Sequence, residues 1–412
     1  MTTSKPIVVL GAGIAGISAA LEAAEAGQEV VLVERDSAVG GRVAKLHRYF
    51  PKLCPPSCGL EIDTRRLEKN PRIRVLTRTD LVAAERTDTG WKVTLREEPA
   101  WVKPSCTACG ECAKVCPTSV PDPFNFGLAK VPAIRIPHLD AWPRRYAMDR
   151  AACPADCHQC VEACPAKAVD LSAKERRIDL DAGALVIATG WVPYPLEKLP
   201  ELGGGVLADV VSNVVLERLA SPSGPTGGRI LRPSDGRPPR SVVFVQCAGS
   251  RDVNHLPYCS SVCCLASLKQ TLYLREALPE TSVTVCYIDR RAPGRNESML
   301  SKAESAGVKF VKGKVGSVTC AGDGTLRLKL EDQEAGRLTE LEADLVVLAT
   351  GMRPASGELP LHVPRDEDGF ALEDRASRLF AAGVAKRPED VASCVRDATG
   401  AAAKAMAAAR SH

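Results

Sequence analysis

Twelve of the 17 cysteines in this 412-residue chain fall into three spaced sets. The first is Cys106-x2-Cys109-x2-Cys112-x3-Cys116-Pro117, and the second is Cys153-x3-Cys157-x2-Cys160-x3-Cys164-Pro165. Thiolates at this spacing wrap three irons of a cubane from one tight loop, and the fourth reaches away. In two-cluster ferredoxins that fourth cysteine ligates the other cluster. The expected 4Fe-4S ligand sets are therefore Cys106, Cys109, Cys112 with Cys164, and Cys153, Cys157, Cys160 with Cys116. A pair of zinc sites is the competing reading. Zinc closes with four ligands but needs neither the doubled spacing nor a proline after the last cysteine. The third set is Cys247, Cys259, Cys263 and Cys264. Cysteine is a common small buried residue, but four within 18 residues, two of them adjacent at a helix start, point to a third cluster.

The second chemistry-bearing feature is Gly11-Ala12-Gly13-Ile14-Ala15-Gly16, placed between a strand at 7–10 and an Ala/Glu-rich helix that runs to about Ala26. A second strand, Glu29–Val33, leads to Glu34. This is a βαβ unit with a dinucleotide fingerprint: Gly11 permits the tight turn, Gly13 lets backbone approach a pyrophosphate, and Gly16 lets helix pack on strand. The helix N-terminus offers N–H donors to phosphate, and Glu34 stands where an acid bonds ribose hydroxyls. Gly40-Gly41-Arg42 follows, allowing a second close approach, with Arg42 facing phosphate. This extension resembles FAD-binding flavoproteins with two dinucleotide domains. The turns Ala188-Thr189-Gly190 and Ala349-Thr350-Gly351 are similar to the crossover points of that superfamily, and Leu379–Gly383 resembles its last flavin-contacting strand. The implied FAD contacts are Thr189, Gly190, Gly351 and Gly383, beside the six fingerprint and loop residues and Glu34.

The elements that position these groups read as an α/β chain: a thioredoxin-reductase-like flavoprotein with two dinucleotide-binding domains and an inserted two-cluster ferredoxin module. Residues 1–102 are expected to begin the FAD domain, with strands at 72–77, 81–87 and 91–96 as a small meander. Residues 103–167 form the insert, 168–200 continue the FAD domain, 201–340 form a second nucleotide-domain-like region, and 341–412 complete the FAD domain. The stretch 221–240 is rich in Pro, Gly and Ser and reads as a loop. A second βαβ-like unit starts at Ser241, and an Ala-rich helix covers about Val391–Arg410.

Composition excludes several classes. Apolar residues make up 45% and charged residues 25%, as in an ordinary globular chain. A net charge of +4 from 54 basic and 50 acidic residues does not mark a nucleic-acid binder. Aromatic residues at 4% leave few stacking platforms. A strand begins almost at once, so no signal peptide is expected, and no apolar run approaches a membrane span. A reducing cytoplasm, where clustered cysteines mean metal or redox chemistry, is the expected setting. No catalytic triad, zinc-protease motif or phosphate-transfer loop competes.

Together with Asn125-Phe126-Gly127-Leu128, Pro137-His138-Leu139 and Pro143-Arg144, these motifs resemble the heterodisulfide reductase A-subunit family along nearly the whole chain. The most specific piece is Cys247–Cys264. The resemblance implies a lysine five residues past the paired cysteines, here Lys269, close to the flavin N5, where a cation stabilises the reduced, anionic ring. The alternative is an exposed helix lysine. The compact form looks most like the A-subunit of the quinone-interacting membrane-bound oxidoreductase complex of sulfate reducers. That likeness implies as partners a haem-bearing membrane subunit, a related flavin/iron–sulfur subunit and, on the redox side, adenylylsulfate reductase. It also implies peripheral attachment to the inner membrane. A flavin takes two electrons and iron–sulfur clusters pass one each, so the set converts between the two. Three alternatives stand beside this one: the flavin subunit of a soluble electron-bifurcating heterodisulfide-reductase-like complex, a pure electron-transfer adaptor, and an NAD(P)H-dependent oxidoreductase. The second βαβ turn, Cys247-Ala248-Gly249, lacks the glycine fingerprint the last would need. Cys54 and Cys58 have no assigned role; Cys286, Cys320 and Cys394 are expected to pack; His255 is left out of the metal set; Arg290-Arg291 reads as a solvated strand end.

Overall fold

The computed structural model describes residues 5–410; the first four and last two residues of the expected terminal segments lie outside them. The chain opens with β1 (Ile7–Leu10), α1 (Ile14–Glu25) and β2 (Val30–Val33), followed by α2 (Ser57–Lys69), β3 (Ile73–Leu76), β4 (Thr79–Thr87) and β5 (Gly90–Glu97). The next stretch holds α3 (Glu111–Lys114), β6 (Ser119–Pro121), β7 (Lys130–Pro132), β8 (Ile134–Arg135), β9 (Ala147–Met148) and α4 (Gln159–Glu162). The chain returns through β10 (Arg176–Ala182), β11 (Ala184–Ile187) and β12 (Trp191–Pro193). A second region comprises β13 (Val210–Ser212), α5 (Asn213–Ala220), β14 (Ser241–Ala248), α6 (Cys263–Ala277), β15 (Ser282–Tyr287), α7 (Glu297–Ser305), β16 (Lys309–Cys320), β17 (Leu326–Asp332), β18 (Arg337–Ala343) and β19 (Leu345–Thr350). The last elements are β20 (Met352–Pro354), β21 (Leu379–Ala381) and α8 (Val391–Arg410).

Two parallel sheets organise these elements. The first has the order β21-β11-β1-β2-β3. Its central strands are apolar at every position, as strands covered on both faces must be. The second has the order β13-β19-β14-β15-β16-β17-β18, parallel up to β16 and antiparallel beyond it. The antiparallel pair β12-β20 links the two at the crossover.

Two expectations need correction. The strand at 73–76 does not belong to the meander; it pairs in parallel with β2 at the sheet edge. The meander is β10-β5-β4, its third strand supplied from beyond the insert. The polar, alternating residues of β10 suit an antiparallel sheet with one wet face, which short β3 cannot complete. The second region also extends past residue 340, because β19 pairs with both β13 and β14. The final FAD-domain segment therefore starts at the crossover after Thr350, not at 341.

The insert leaves and re-enters the meander through a short antiparallel stem. Val102 bridges Val169, Lys103 N–H donates to Ala168 O, and Asp170 N–H donates to Trp101 O. It carries a small core of its own, with Ile134, Met148, Ala168 and buried Cys112 and Cys160.

On the first sheet, α1 packs directly on α8. Both faces are built from alanines: Ala19, Ala20 and Ala23 on one, Ala398, Ala401, Ala402 and Ala405 on the other, all buried. Small side chains bring the axes close, so the space for added methylenes is absent. Ala402→Leu is expected to cost about 1–3 kcal/mol by overpacking. Thermal unfolding of the purified chain checks this: an unchanged midpoint would mean the two helices are not in close contact.

Candidate functional site

A cleft of about 650 Å³ opens where the first sheet meets the second, within the size range of cofactor sites. Gly11, Gly13, Glu34, Gly41, Arg42, Thr189, Gly190 and Lys269 line it. The glycines are required by close approach. A Cβ on Gly16 would lie 1.8 Å from Gly11 O, and Gly41, at φ +53°, would place one 2.9 Å from Gly13 Cα. The two glycine turns are stitched together, Gly40 N–H donating to Ala12 O at 2.8 Å. The result is bare backbone around the N-terminus of α1, the arrangement that receives a pyrophosphate. Among the described residues, three buried side-chain atoms on the cleft lining have no hydrogen-bond partner: Thr189 Oγ1, Gln270 Oε1 and Glu389 Oε2. A glycine cradle with stranded polar atoms fits a polar dinucleotide.

Glu34 sits at the end of β2 with Oε2 accepting from Ala12 N–H at 2.8 Å and Oε1 from Asp36 N–H at 2.9 Å. Burial raises its carboxyl to about 7, with Asp36 adding in the same direction. Arg42 donates from Nε to Trp191 O at 2.9 Å and lies over the indole ring.

Lys269 is not an exposed helix lysine. It is 2% exposed on α6, and its Nζ lies 3.0 Å from Glu217 Oε1 and donates to Arg48 O at 2.7 Å. Glu217, on α5, also accepts from Gln270 Nε2 at 2.7 Å and from His47 N–H at 2.9 Å. A buried ion pair persists only when its remaining lone pairs are filled this way. Both charges line the cleft. Five residues of helix, about 7.5 Å of rise, separate Lys269 from Cys264 at the start of α6.

The first two cysteine sets assemble across the insert. One small cavity is lined by Cys106, Cys109, Cys112 and Cys164 together. Burial pushes the Cys112 thiol up to about 12, with Cys106, Cys164 and Cys109 adding to the shift. Cys160 is raised by burial and by Cys153, Cys157 and Cys116. Backbone N–H groups point at sulfur, Ala108 to Cys106 at 3.4 Å and Ala168 to Cys164 at 3.3 Å.

The third set gathers between β14 and α6. Burial raises the Cys263 thiol, and Cys264, Cys247 and Cys259 add to it. Cys247, Arg251 and Ser261 all adopt left-handed backbone conformations, strain of a kind that concentrates at functional sites. Among the described residues, no three or more His, Cys, Asp or Glu side chains gather tightly enough to grip one metal ion. A single zinc would draw its thiolates to about 2.3 Å from one centre. Thiolates held close together repel one another, and a bound cationic centre relieves that repulsion.

Gly16, Gly40, Gly351 and Gly383 lie behind the cleft wall rather than on it. A Cβ on Gly351 would strike Ser250 Oγ at 2.2 Å, and one on Gly383 would meet Ala15 Cβ at 2.8 Å. His255 bonds Tyr194 Oη at 2.8 Å. Cys286 is buried, Cys320 exposed, and Cys54 and Cys58 are exposed at the start of α2. Cys394 packs in the core and also lines the cleft. Arg290 pairs with Glu304 and lies over Tyr287 and Phe310. Sequence reasoning quoted Phe126, which lines the cleft, only within a family motif, and missed Lys45, Glu217 and Gln270, also cleft-lining. Only Lys45 carried a local signal, three residues past Arg42.

Residues 6–51 match the model of the FAD dependent oxidoreductase family. Across 97% of its length the chain is 35% identical to the A-subunit of the ferredoxin:CoB-CoM heterodisulfide reductase of Methanosarcina acetivorans, covering 56% of that protein. It is 34% identical, again over 97%, to the A-subunit of the H(2):CoB-CoM heterodisulfide,ferredoxin reductase of Methanothermobacter marburgensis, covering 63% of it. The chain thus spans between about half and two thirds of the length of these relatives. Thioredoxin reductase from T. acidophilum superposes with a TM-score of 0.55 at 14% identity, covering 98% of each chain. That from Lactococcus lactis gives 0.52 at 13% identity, covering 98% of this chain and 99% of the other. The fold is thioredoxin-reductase-like.

Glu34 yields a pH prediction. Its folded-state value of about 7 lies above an unfolded value of about 4.3, so the folded chain holds the proton more tightly. The associated stability is present below the unfolded value and is lost as pH rises through about 7. The melting temperature of flavin-free protein is expected to fall across that window, and Glu34→Gln to flatten the profile. Equal slopes for the two proteins would refute this.

Proposed function

Given a chain homologous to the heterodisulfide reductase A-subunit along nearly its whole length, we propose that it is an FAD and iron–sulfur electron-transfer subunit of a multisubunit oxidoreductase. The carrying observation is α6, which holds Cys263 and Cys264 in its first turn and places Lys269 in the glycine cleft. A thiol set and a flavin-sized cleft thereby share one rigid element. When bound, FAD exchanges an electron pair with a donor or acceptor, and three clusters carry single electrons onward.

The residues supply the setting. Gly11, Gly13 and Gly41 leave room for the pyrophosphate, and the first turn of α1 presents its N–H groups there. Thr189 Oγ1 and Gln270 Oε1 are free to bond the cofactor. Lys269 sets its buried ammonium beside the cleft, held by Glu217 and Arg48 O. A fixed cation of this kind favours electron gain at the ring beside it. Cys247, Cys259, Cys263 and Cys264 would hold one cluster, and the insert would hold two more in the crossed sets.

For partners, the names of the relatives support a complex of the heterodisulfide reductase type, in which this chain is the flavin subunit. The quinone-linked reading rests on the likeness to the membrane-bound oxidoreductase of sulfate reducers. There, adenylylsulfate reductase stands at one end and a haem-bearing membrane subunit at the other. Among the described residues no helix is long and apolar enough to cross a membrane, so attachment would run through a partner. Anaerobic isolation of the native chain in mild detergent separates the two. Co-isolation of haem b with a membrane-spanning subunit supports the quinone-linked complex. Co-isolation with a hydrogenase or dehydrogenase and no haem supports the soluble one.

The crossed ligand sets give a sharper test. In the anaerobically purified protein, Cys106→Ser with Cys164→Ser is expected to remove one cluster, about four irons. Cys106→Ser with Cys116→Ser is expected to remove two, about eight irons. The reverse pattern in iron content and low-temperature paramagnetic resonance would mean that each motif closes on itself.

A further inference from the structure

Arg218, on α5, is 1% exposed. A guanidinium so deeply buried is costly unless its donors are filled. Its Nε donates to Asn125 Oδ1 at 2.8 Å, Nη1 to Lys45 O at 3.1 Å and Nη2 to Ser223 Oγ at 2.9 Å. Its plane lies over Phe124, 4.8 Å from the ring centre. The three acceptors belong to three parts of the chain: the insert, the flavin loop after Gly41, and the second region. Nothing in the flavin or cysteine chemistry requires such a joint.

What it holds is the β6–β7 hairpin of the insert. Asp122 Oδ2 accepts from Asn125 Nδ2 at 2.7 Å, its Oδ1 accepts from Phe124 N–H at 2.9 Å, and Lys45 Nζ donates to Pro123 O at 3.1 Å. The same ammonium lies 4.9 Å from the Phe126 ring, a favourable cation–ring contact. Phe126 takes a left-handed conformation, φ +54°, which a bulky side chain adopts only where its surroundings enforce it. Its ring lines the same cleft as Lys45, Glu217 and Lys269.

We propose that the insert supplies part of the flavin site: Phe126 is a wall contact for the bound cofactor, and Arg218 is the positioning residue that holds the hairpin against the cleft. Flavin retention and docking of the insert are then two faces of one equilibrium, since each favours the same arrangement. Arginine is specific here, because a lysine ammonium offers no planar fork for three separate acceptors and no plane to lay on Phe124.

This inference rests on the cleft taking FAD, and the experiment separates the two. The anaerobically purified full chain is stripped of flavin and titrated with FAD, with iron content and the visible circular dichroism of the flavin recorded. A wild-type chain that does not take up FAD sinks the functional reading itself. If it does, Phe126→Ala and Arg218→Met are each expected to weaken FAD by about tenfold or more. Their flavin dichroism should be altered and their iron content kept, with Arg218→Lys recovering only part of the affinity. In the wild type, FAD is expected to slow amide exchange across residues 122–129. FAD affinities within about twofold of wild type for both variants, or exchange of the hairpin unchanged by FAD, overturn the proposal. If Arg218→Met loses its iron or fails to fold, Phe126→Ala, which leaves the Arg218 joint intact, decides the matter alone.

Discussion

A carboxylate only 3% exposed keeps its charge only where the surroundings answer every lone pair, and Glu217 is such a group. Lys269, Gln270 and the His47 backbone all point at it. Those partners come from α6 and from the loop that follows the glycine turns, while Glu217 itself comes from α5. Removing either member of the pair leaves an uncompensated charge in the interior, a loss of about 3–5 kcal/mol in comparable sites. The ion pair thus joins the second sheet's helices to the first sheet's cofactor loop. It also fixes the rotation of α6, and that rotation decides which way Cys263 and Cys264 face.

The cysteine sets follow a related logic, with several thiols in place of one carboxylate. Buried thiols resist ionisation, and neighbouring thiols add to it, as at Cys112 and Cys263. The backbone is bent to meet them. Left-handed residues flank the sets at Ala108, Lys167, Cys247 and Ser261, and N–H groups are turned toward sulfur at Cys106, Cys164 and Cys259. Such conformations cost about 1–3 kcal/mol each, so the loops are shaped in advance of whatever they bind. A donor set of this kind, bent and mutually repelling, is stabilised by a cationic centre and strained without one.

Much of this was legible in the sequence where the information is local. The βαβ fingerprint, the paired cysteine motifs and the long C-terminal helix depend on spacing within a few dozen residues. Where partners are distant in sequence the reading failed. The strand at 73–76 carries the same alternation as its neighbours, and nothing local says that β2 claims it while β10, about a hundred residues on, replaces it in the meander. At Gly351 and Gly383 an added Cβ would strike Ser250 and Ala15, neighbours that no local pattern names. Glu217 and Arg218 were invisible for another reason. Adjacent charged residues on a short helix read as a solvated face, and only the packing of three separate segments puts both inside.

The stem at Val102 and Val169 sets an order in time as well as a place in space. The sheet that carries the glycine cleft needs β11 beside β1 and β21 beside β11, so it cannot close until residue 381 has left the ribosome. The insert needs only its own core and its stem, both complete by residue 170. Because domains fold as units while synthesis proceeds, the module between β5 and β10 can collapse first, as a closed loop pinned at its ends. It then stands as a finished body around which the interrupted flavin domain has to be built.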